Sequence, residues 1–211
     1  MKRADFLKLF GSWLLTMGGV AAQSQKSGPS EEDSPLTIGL IGDPAVGKSS
    51  LIYRFINGGF PGEIYEPPAT GAVKASVRSP STRTFRIRFK EISPAASANP
   101  GAFYSDIQVN LICFSSISRS SYDSLTSRWL PEIERFAPHT PRVLASLKED
   151  LMRDPSTLRT LEQKGLSPIV DVELQEAVMR LEARKGYYCS SLTGNGTAPI
   201  LEDILRFTPG I

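Results

Sequence analysis

One run of residues can do chemistry by type and spacing. Gly42-Asp43-Pro44-Ala45-Val46-Gly47-Lys48-Ser49 fits G-x-x-x-x-G-K-[ST], the pattern of a phosphate-binding loop. Glycines let the backbone close around phosphate oxygens, so that successive N–H groups point at them. The start of a following helix adds partial positive charge. On that chemistry the expected phosphate-binding positions are Asp43, Ala45, Val46, Gly47, Lys48, Ser49 and Ser50. Lys48 would neutralise the β- and γ-phosphates, and the Ser49 hydroxyl would ligate Mg²⁺. The motif requires a strand before it and a helix after it. Leu36 to Ile41 is apolar and β-branched and reads as a buried strand, and Ser50 to Ile56 reads as a helix with an apolar face.

A phosphate loop alone does not choose among kinases, ATPases and GTPases; two later stretches do. Leu147-Lys148-Glu149-Asp150 directly follows an apolar strand, and Cys189-Ser190-Ser191-Leu192-Thr193 follows another. Ligands of an open parallel sheet sit beyond the carboxyl ends of its strands, which brings both loops beside the first. A carboxylate there accepts both N1–H and the exocyclic amino group of guanine, a donor pair that adenine lacks. The Lys148 stem can lie over the ring face, and backbone N–H groups of the Ser190-Ser191 pair can bond the guanine carbonyl. Any one piece alone is an ordinary solvated turn. Together, in this order and spacing, they point to a guanine nucleotide. Nothing resembles the Arg-rich lid of a nucleotide kinase.

The positioning elements follow along the chain. Strands are expected at 72–77, 84–92, 107–115, 141–147 and 187–190, and helices at 120–136 (carrying Trp129), 155–164, 171–184 and 198–207. Asn57 to Gly62 reads as a helix stop and turn, a Pro-rich loop runs to Gly71, and Ser93 to Gly101 reads as a loop with little to order it. Strands alternating with helices argue for an α/β fold with a mostly parallel sheet. The chain has 211 residues, room for one domain and an extension, and its net charge of +2 shows no basic stripe that would favour nucleic acid. Cys113 and Cys189 lie in apolar runs and read as reduced core thiols of an intracellular protein. The single His139 sits between prolines in a loop, without companions for a metal site.

Residues 1–35 differ from the rest. Met1-Lys2-Arg3 is basic and residues 9–22 are largely apolar, a run short for a bilayer span. Three readings fit. One is a signal peptide ending in small residues at Val20-Ala21-Ala22. Another is an interfacial helix with Phe6, Leu9, Phe10, Trp13, Leu14 and Met17 on one side, making a membrane surface a candidate partner. The third is a disordered leader, as from a misplaced start. Gln23 to Pro35 reads as a polar linker.

Over roughly residues 36–207 the chain resembles small GTPases, and among them the Rho family. The phosphate loop, Phe-Pro-Gly-Glu at 60–63, Leu-Ile-Cys-Phe-Ser at 111–115, Trp-Leu-Pro-Glu-Ile at 129–133 and Thr-Pro-Arg-Val-Leu at 140–144 carry the likeness. The segment from Asp150 to Pro168 resembles the family's insert helix. The resemblance implies a P-loop NTPase fold, a six-stranded mostly parallel sheet with helices on both faces, plus the insert. It divides the chain into an extension and linker (1–35), a GTPase domain (36–207) and a short tail (208–211). It implies GTP/GDP and Mg²⁺ as ligands, and effector and regulator proteins as partners. Residue by residue, Lys148 and Asp150 would contact guanine, Ser190, Ser191 and Leu192 would close the base pocket, and Phe60 would pack beside the base.

The departures are specific. Pro44 replaces a loop glycine. Where switch I should supply a Mg²⁺-ligating Thr, only Thr70 in Pro67-Pro68-Ala69-Thr70 is near, displaced by about two positions. The Asp-Thr-Ala-Gly-Gln of switch II is replaced by Glu91-Ile92-Ser93-Pro94, which leaves Glu91 as a substitute Mg²⁺-facing carboxylate and no catalytic Gln; Gln108 already belongs to the next strand. The tail, Phe-Thr-Pro-Gly-Ile, has no prenylatable Cys. The expected function is a Rho-like guanine-nucleotide-dependent switch with impaired GTP hydrolysis, located in the cytoplasm or peripherally at a membrane through residues 1–22. The alternatives are a slowly cycling GTPase and a pseudo-GTPase scaffold that works without nucleotide cycling.

Overall fold

The computed structural model describes residues 35–60, 72–78, 84–92 and 99–206. Its centre is a six-stranded sheet built from β1 (Leu36–Ile41), β2 (Ala72–Arg78), β3 (Thr84–Glu91), β4 (Val109–Ser115), β5 (Arg142–Leu147) and β6 (Gly186–Tyr188), in the order β2-β3-β1-β4-β5-β6. Only β2 runs antiparallel, paired to β3 from Ala72 opposite Lys90 to Arg78 opposite Thr84. The other neighbours are parallel.

Successive side chains of the strands point to opposite faces, and each face is covered. Ile38 and Leu40, Leu111 and Cys113, and Val143 and Ala145 pack with Leu51, Ile52 and Phe55 of α1 (Lys48–Asn57) and Ile200 and Ile204 of α7 (Thr197–Arg206). Ile112, Phe114 and Leu144 point the other way, against the helical run 119–136 and against Leu174 and Ala177 of α6 (Asp171–Arg180). The sheet is thus buried on both sides, as parallel strands of apolar composition require.

Three elements depart from the sequence reading. Pro100–Tyr104 forms a short helix, α2, where a loop was expected: the Asn99 side chain accepts the Ala102 N–H and Pro100 sits in the first turn, where its missing N–H costs nothing. The helix expected over 120–136 is α3 (Arg119–Ser124), one wider turn of π geometry over Leu125–Trp129, and α4 (Leu130–Phe136) in continuous succession. Helix α6 stops at Arg180 rather than 184, closed by Ala183 N–H donating to Val178 O (2.9 Å). The insert is a 3₁₀ turn over Glu149–Arg153 followed by α5 (Pro155–Glu162), which the Asp154 carboxylate caps at Thr157 N–H (2.7 Å).

In this order β1 is flanked by β3 on one side and β4 on the other, so successive connections leave it in opposite directions. Ligands bind beyond the carboxyl end of a strand at such a switch point, which here is Gly42.

Candidate functional site

The phosphate loop starts where β1 passes close over β4. Gly42 has φ 147°, and a Cβ there would lie 2.0 Å from the Cys113 carbonyl oxygen, so no other residue fits. Gly47, with φ 117°, turns the chain into α1. Between them Pro44 and Ala45 are exposed, while Val46 is buried in the core beneath. The loop therefore arches over a fixed apolar floor.

Lys48 is the first residue of α1 and is only 4 % exposed. Its ammonium donates to Gly42 O (2.9 Å) and Asp43 O (2.8 Å), which ties the arch across its base. Burial pushes its pKa below the ordinary lysine value, opposed chiefly by the Glu91 carboxylate 3.7 Å away. A buried cation with partial compensation gains from an arriving anion. The Ser49 hydroxyl donates to the other Glu91 oxygen at 2.6 Å. Ser49 and Glu91 thus form a pair of oxygen donors beside the loop, the hard ligand type that Mg²⁺ takes alongside nucleotide phosphates. No group of three or more His, Cys, Asp or Glu side chains suited to a metal occurs among the described residues. Thr70, the other candidate ligand, lies outside the described residues, as do Pro94 and the whole of residues 1–34.

Several of the residues assigned to the base side line one cavity. Gly47, Ser50, Phe60, Leu147, Lys148, Asp150, Leu151, Ser191 and Leu192 line one cavity of about 250 Å³. Lys148 adopts a left-handed backbone (φ 62°) at the end of β5, and its ammonium reaches Ala45 O at 2.8 Å. The stem is thereby stretched along the cavity wall instead of standing in solvent. Phe60 faces it from the other side, 43 % exposed. The β5 and β6 loops are joined: Glu149 N–H donates to Cys189 O (3.1 Å), and the Asn195 amide donates to the Glu149 carboxylate (3.1 Å). Ser190 sits elsewhere than expected. It is fully buried behind the cavity, its hydroxyl accepting the Thr193 N–H at 3.1 Å, so it shapes the loop while Ser191 and Leu192 form the wall.

Two features were not legible in the sequence. The Asp43 carboxylate accepts the indole N–H of Trp129 at 2.9 Å, across 86 positions of chain. Trp129 closes the π turn, is buried, and carries the Arg128 guanidinium 4.3 Å from its ring centre. Such wider turns often mark functional positions. Beneath the loop, Cys113 is a free buried thiol whose pKa burial pushes up to about 12, and Cys189 is likewise free and raised by burial. Neither is a nucleophile at neutral pH.

Gln108 is the first glutamine of the sequence after β3. Gln108 accepts the Thr37 N–H at 2.9 Å, at the opposite end of β1 from Gly42.

Comparison with known proteins agrees with this arrangement. The family model described as "Ras family" matches residues 37–187. The chain is 31 % identical to the GTP-binding protein RHO1 of Candida albicans over 187 residues, covering 85 % of this chain and 90 % of that one. It is 30 % identical to the GTP-binding protein RHO1 of Saccharomyces cerevisiae over 174 residues, 79 % and 80 % of the two chains. Against the Rho-related protein racC of Entamoeba histolytica the identity is 27 % over 186 residues, 84 % and 91 % of the two. A phosphate loop at the sheet's switch point, a base-sized cavity walled by Lys148 and Asp150, and these relatives along most of its length place the chain in the Ras family, as a Rho-type small GTPase.

Proposed function

We propose that this protein is a guanine-nucleotide-dependent switch whose GTP hydrolysis is impaired, and that its output is carried by proteins that bind its nucleotide-sensitive and insert faces. The observation that carries the reading is an imbalance. The binding half of the site is built, with Lys48 tying the loop and Lys148 and Asp150 lining the base cavity. The hydrolytic half lacks its water-orienting group: the first glutamine after β3 is Gln108, already engaged with Thr37. In this chemistry catalysis is mostly positioning and electrostatics, so the loss of the positioning group falls directly on the rate.

Each residue's task follows from its place. Backbone N–H groups from Ala45 to Ser50 would hold the β-phosphate, and Lys48 would bridge β and γ. Asp150 would accept the guanine N1–H and amino group, with the ring between Phe60 and the Lys148 stem. Mg²⁺, when bound, would neutralise charge between the phosphates, held on the protein side by Ser49 and Glu91. Glu91 is one methylene longer than the aspartate usual in this family, and it already reaches the Ser49 hydroxyl directly. Pro44 offers no N–H to a phosphate.

The partner faces include α5, where Leu158 stands exposed on the insert. Among the described residues no helix is long and apolar enough to cross a membrane. Any surface attachment through residues 1–22 would be interfacial, and flotation with anionic liposomes should occur for the full chain and fail when those residues are removed. The reading as a whole is tested by releasing and identifying the nucleotide from purified protein. Guanine nucleotide with a large GTP fraction is the expected result. GDP alone would contradict impaired hydrolysis, and protein that emerges empty would favour a scaffold.

A further inference from the structure

Arg54 occupies the last turn of α1, one helix length from the phosphates, and no part of the nucleotide reading uses it. Its guanidinium is nonetheless aimed at the base cavity's frame. Nε donates to Ser191 O (2.8 Å), Nη2 to Leu192 O (2.6 Å) and Nη1 to Gly58 O (2.7 Å). One rigid planar fork therefore holds two backbone segments that reach the cavity from different directions. Ser191 and Leu192 form one wall, and Gly58 leads, two residues on, to Phe60, which forms another. Helix α1 itself closes on the same point, with Gly58 N–H donating to Arg54 O at 2.9 Å.

The carbonyls of the Ser190–Leu192 stretch are all engaged by the protein's own donors. Gly194 N–H holds Ser190 O (2.8 Å), and Arg54 holds the next two. In a trans peptide the N–H points opposite to its carbonyl. Fixing the Ser190 and Ser191 carbonyls therefore fixes the directions of the Ser191 and Leu192 N–H groups.

We infer that Arg54 is a positioning residue for base recognition: it orients the Ser191–Leu192 peptide, and with it the Leu192 N–H that serves to distinguish a purine 6-oxo group from a 6-amino group, while fixing the approach to Phe60. The inference rests on the reading of this cavity as the guanine site. Arginine is needed because three carbonyls must be met at fixed angles. A lysine ammonium carries the charge but not the fork.

The test compares Arg54→Met and Arg54→Lys with the wild-type full chain. Competition against a fluorescent guanosine diphosphate measures the affinities of GDP, ADP and inorganic pyrophosphate, and thermal melting follows the fold. For Arg54→Met the GDP-over-ADP preference should fall by about tenfold or more, with pyrophosphate affinity unchanged. Arg54→Lys should lose most of the same preference. Should Arg54→Met fail to fold, Arg54→Lys decides alone. A preference that survives in both variants, or GDP and pyrophosphate affinities that fall in parallel, overturns the inference. Failure of the underlying guanine reading looks different, because wild-type protein would then bind GDP and ADP alike.

Discussion

Replacing Asp150 with alanine separates base recognition from phosphate recognition. Asp150 lines the 250 Å³ cavity and lies in the first turn of the Glu149–Arg153 segment, held by backbone bonds such as Leu151 N–H to Lys148 O at 3.0 Å. Among the described residues its side chain makes no hydrogen bond, so its removal leaves the fold's own bonds in place. What the variant loses is the acceptor pair for N1–H and the exocyclic amino group. Two hydrogen bonds to a charged acceptor contribute ~1.5–3 kcal/mol each, hence ~3–6 kcal/mol together. That corresponds to a fall in GDP affinity of roughly 10²- to 10⁴-fold. ADP, which never offered that pair of donors, should lose nothing. The assay is competition of GDP and ADP against a fluorescent guanosine nucleotide, with the melting temperature of the nucleotide-free protein as a control. An unchanged GDP-to-ADP ratio in Asp150→Ala, with a normal melting temperature, would refute the placement of the base.

Trp129→Phe deletes the N–H that meets Asp43 and also trims a buried ring, so the melting temperature is followed alongside; the expected result is nucleotide dissociation faster by roughly fivefold, for a bond contributing about 1 kcal/mol, read by stopped-flow release of a fluorescent nucleotide. An unaltered rate would make that bond irrelevant to the loop. The Asp154 carboxyl is held near a pKa of about 2 by the Ser156 hydroxyl and by the Thr157 N–H and hydroxyl. The folded value lies below the ordinary one of roughly 3.9, so the cap's stabilisation is fully present above pH 4 and fades as pH falls from 4 toward 2. Amide exchange in α5 should therefore quicken over that window in the wild type, whereas Asp154→Ala should exchange fast throughout and show no such step.

The sheet and the binding residues were legible because their signals are local. Continuous apolar runs in β1 and β4, and G-x-x-x-x-G-K-S at the end of a strand, are sufficient to place Lys48. Lys148, Asp150 and Ser191 line one cavity, since the carboxyl ends of parallel strands share an edge. Contacts between distant segments were not legible. Asp43 and Trp129 meet across 86 positions of chain at the end of a π turn, and hydrophobic periodicity does not register a single wider turn. Arg54 sits among apolar residues of α1 and reads as an ordinary charged surface position; its carbonyl partners near 191 belong to a loop whose path no local rule sets. Helix α2 is too short for periodicity, and its signal was the Asn99-Pro100 pair, which serves turns equally well. Ser190 was placed in the pocket wall by resemblance, but it is buried, with its hydroxyl accepting the Thr193 N–H, and only its neighbours Ser191 and Leu192 line the cavity.

The central claim is that this chain holds GTP without the means to orient the attacking water. Single-turnover hydrolysis of GTP preloaded on the full chain, with Mg²⁺ present and with or without a Rho-type activating protein, tests it directly. Small GTPases with an intact glutamine hydrolyse unaided at roughly 3–5 × 10⁻⁴ s⁻¹ and are accelerated up to about 10⁵-fold by an activator. The account predicts a rate at or below the bottom of that intrinsic range and little stimulation. A rate at the family's usual level, raised a thousandfold or more by the activator, would mean that another residue positions the water and that the hydrolytic half of the site is intact.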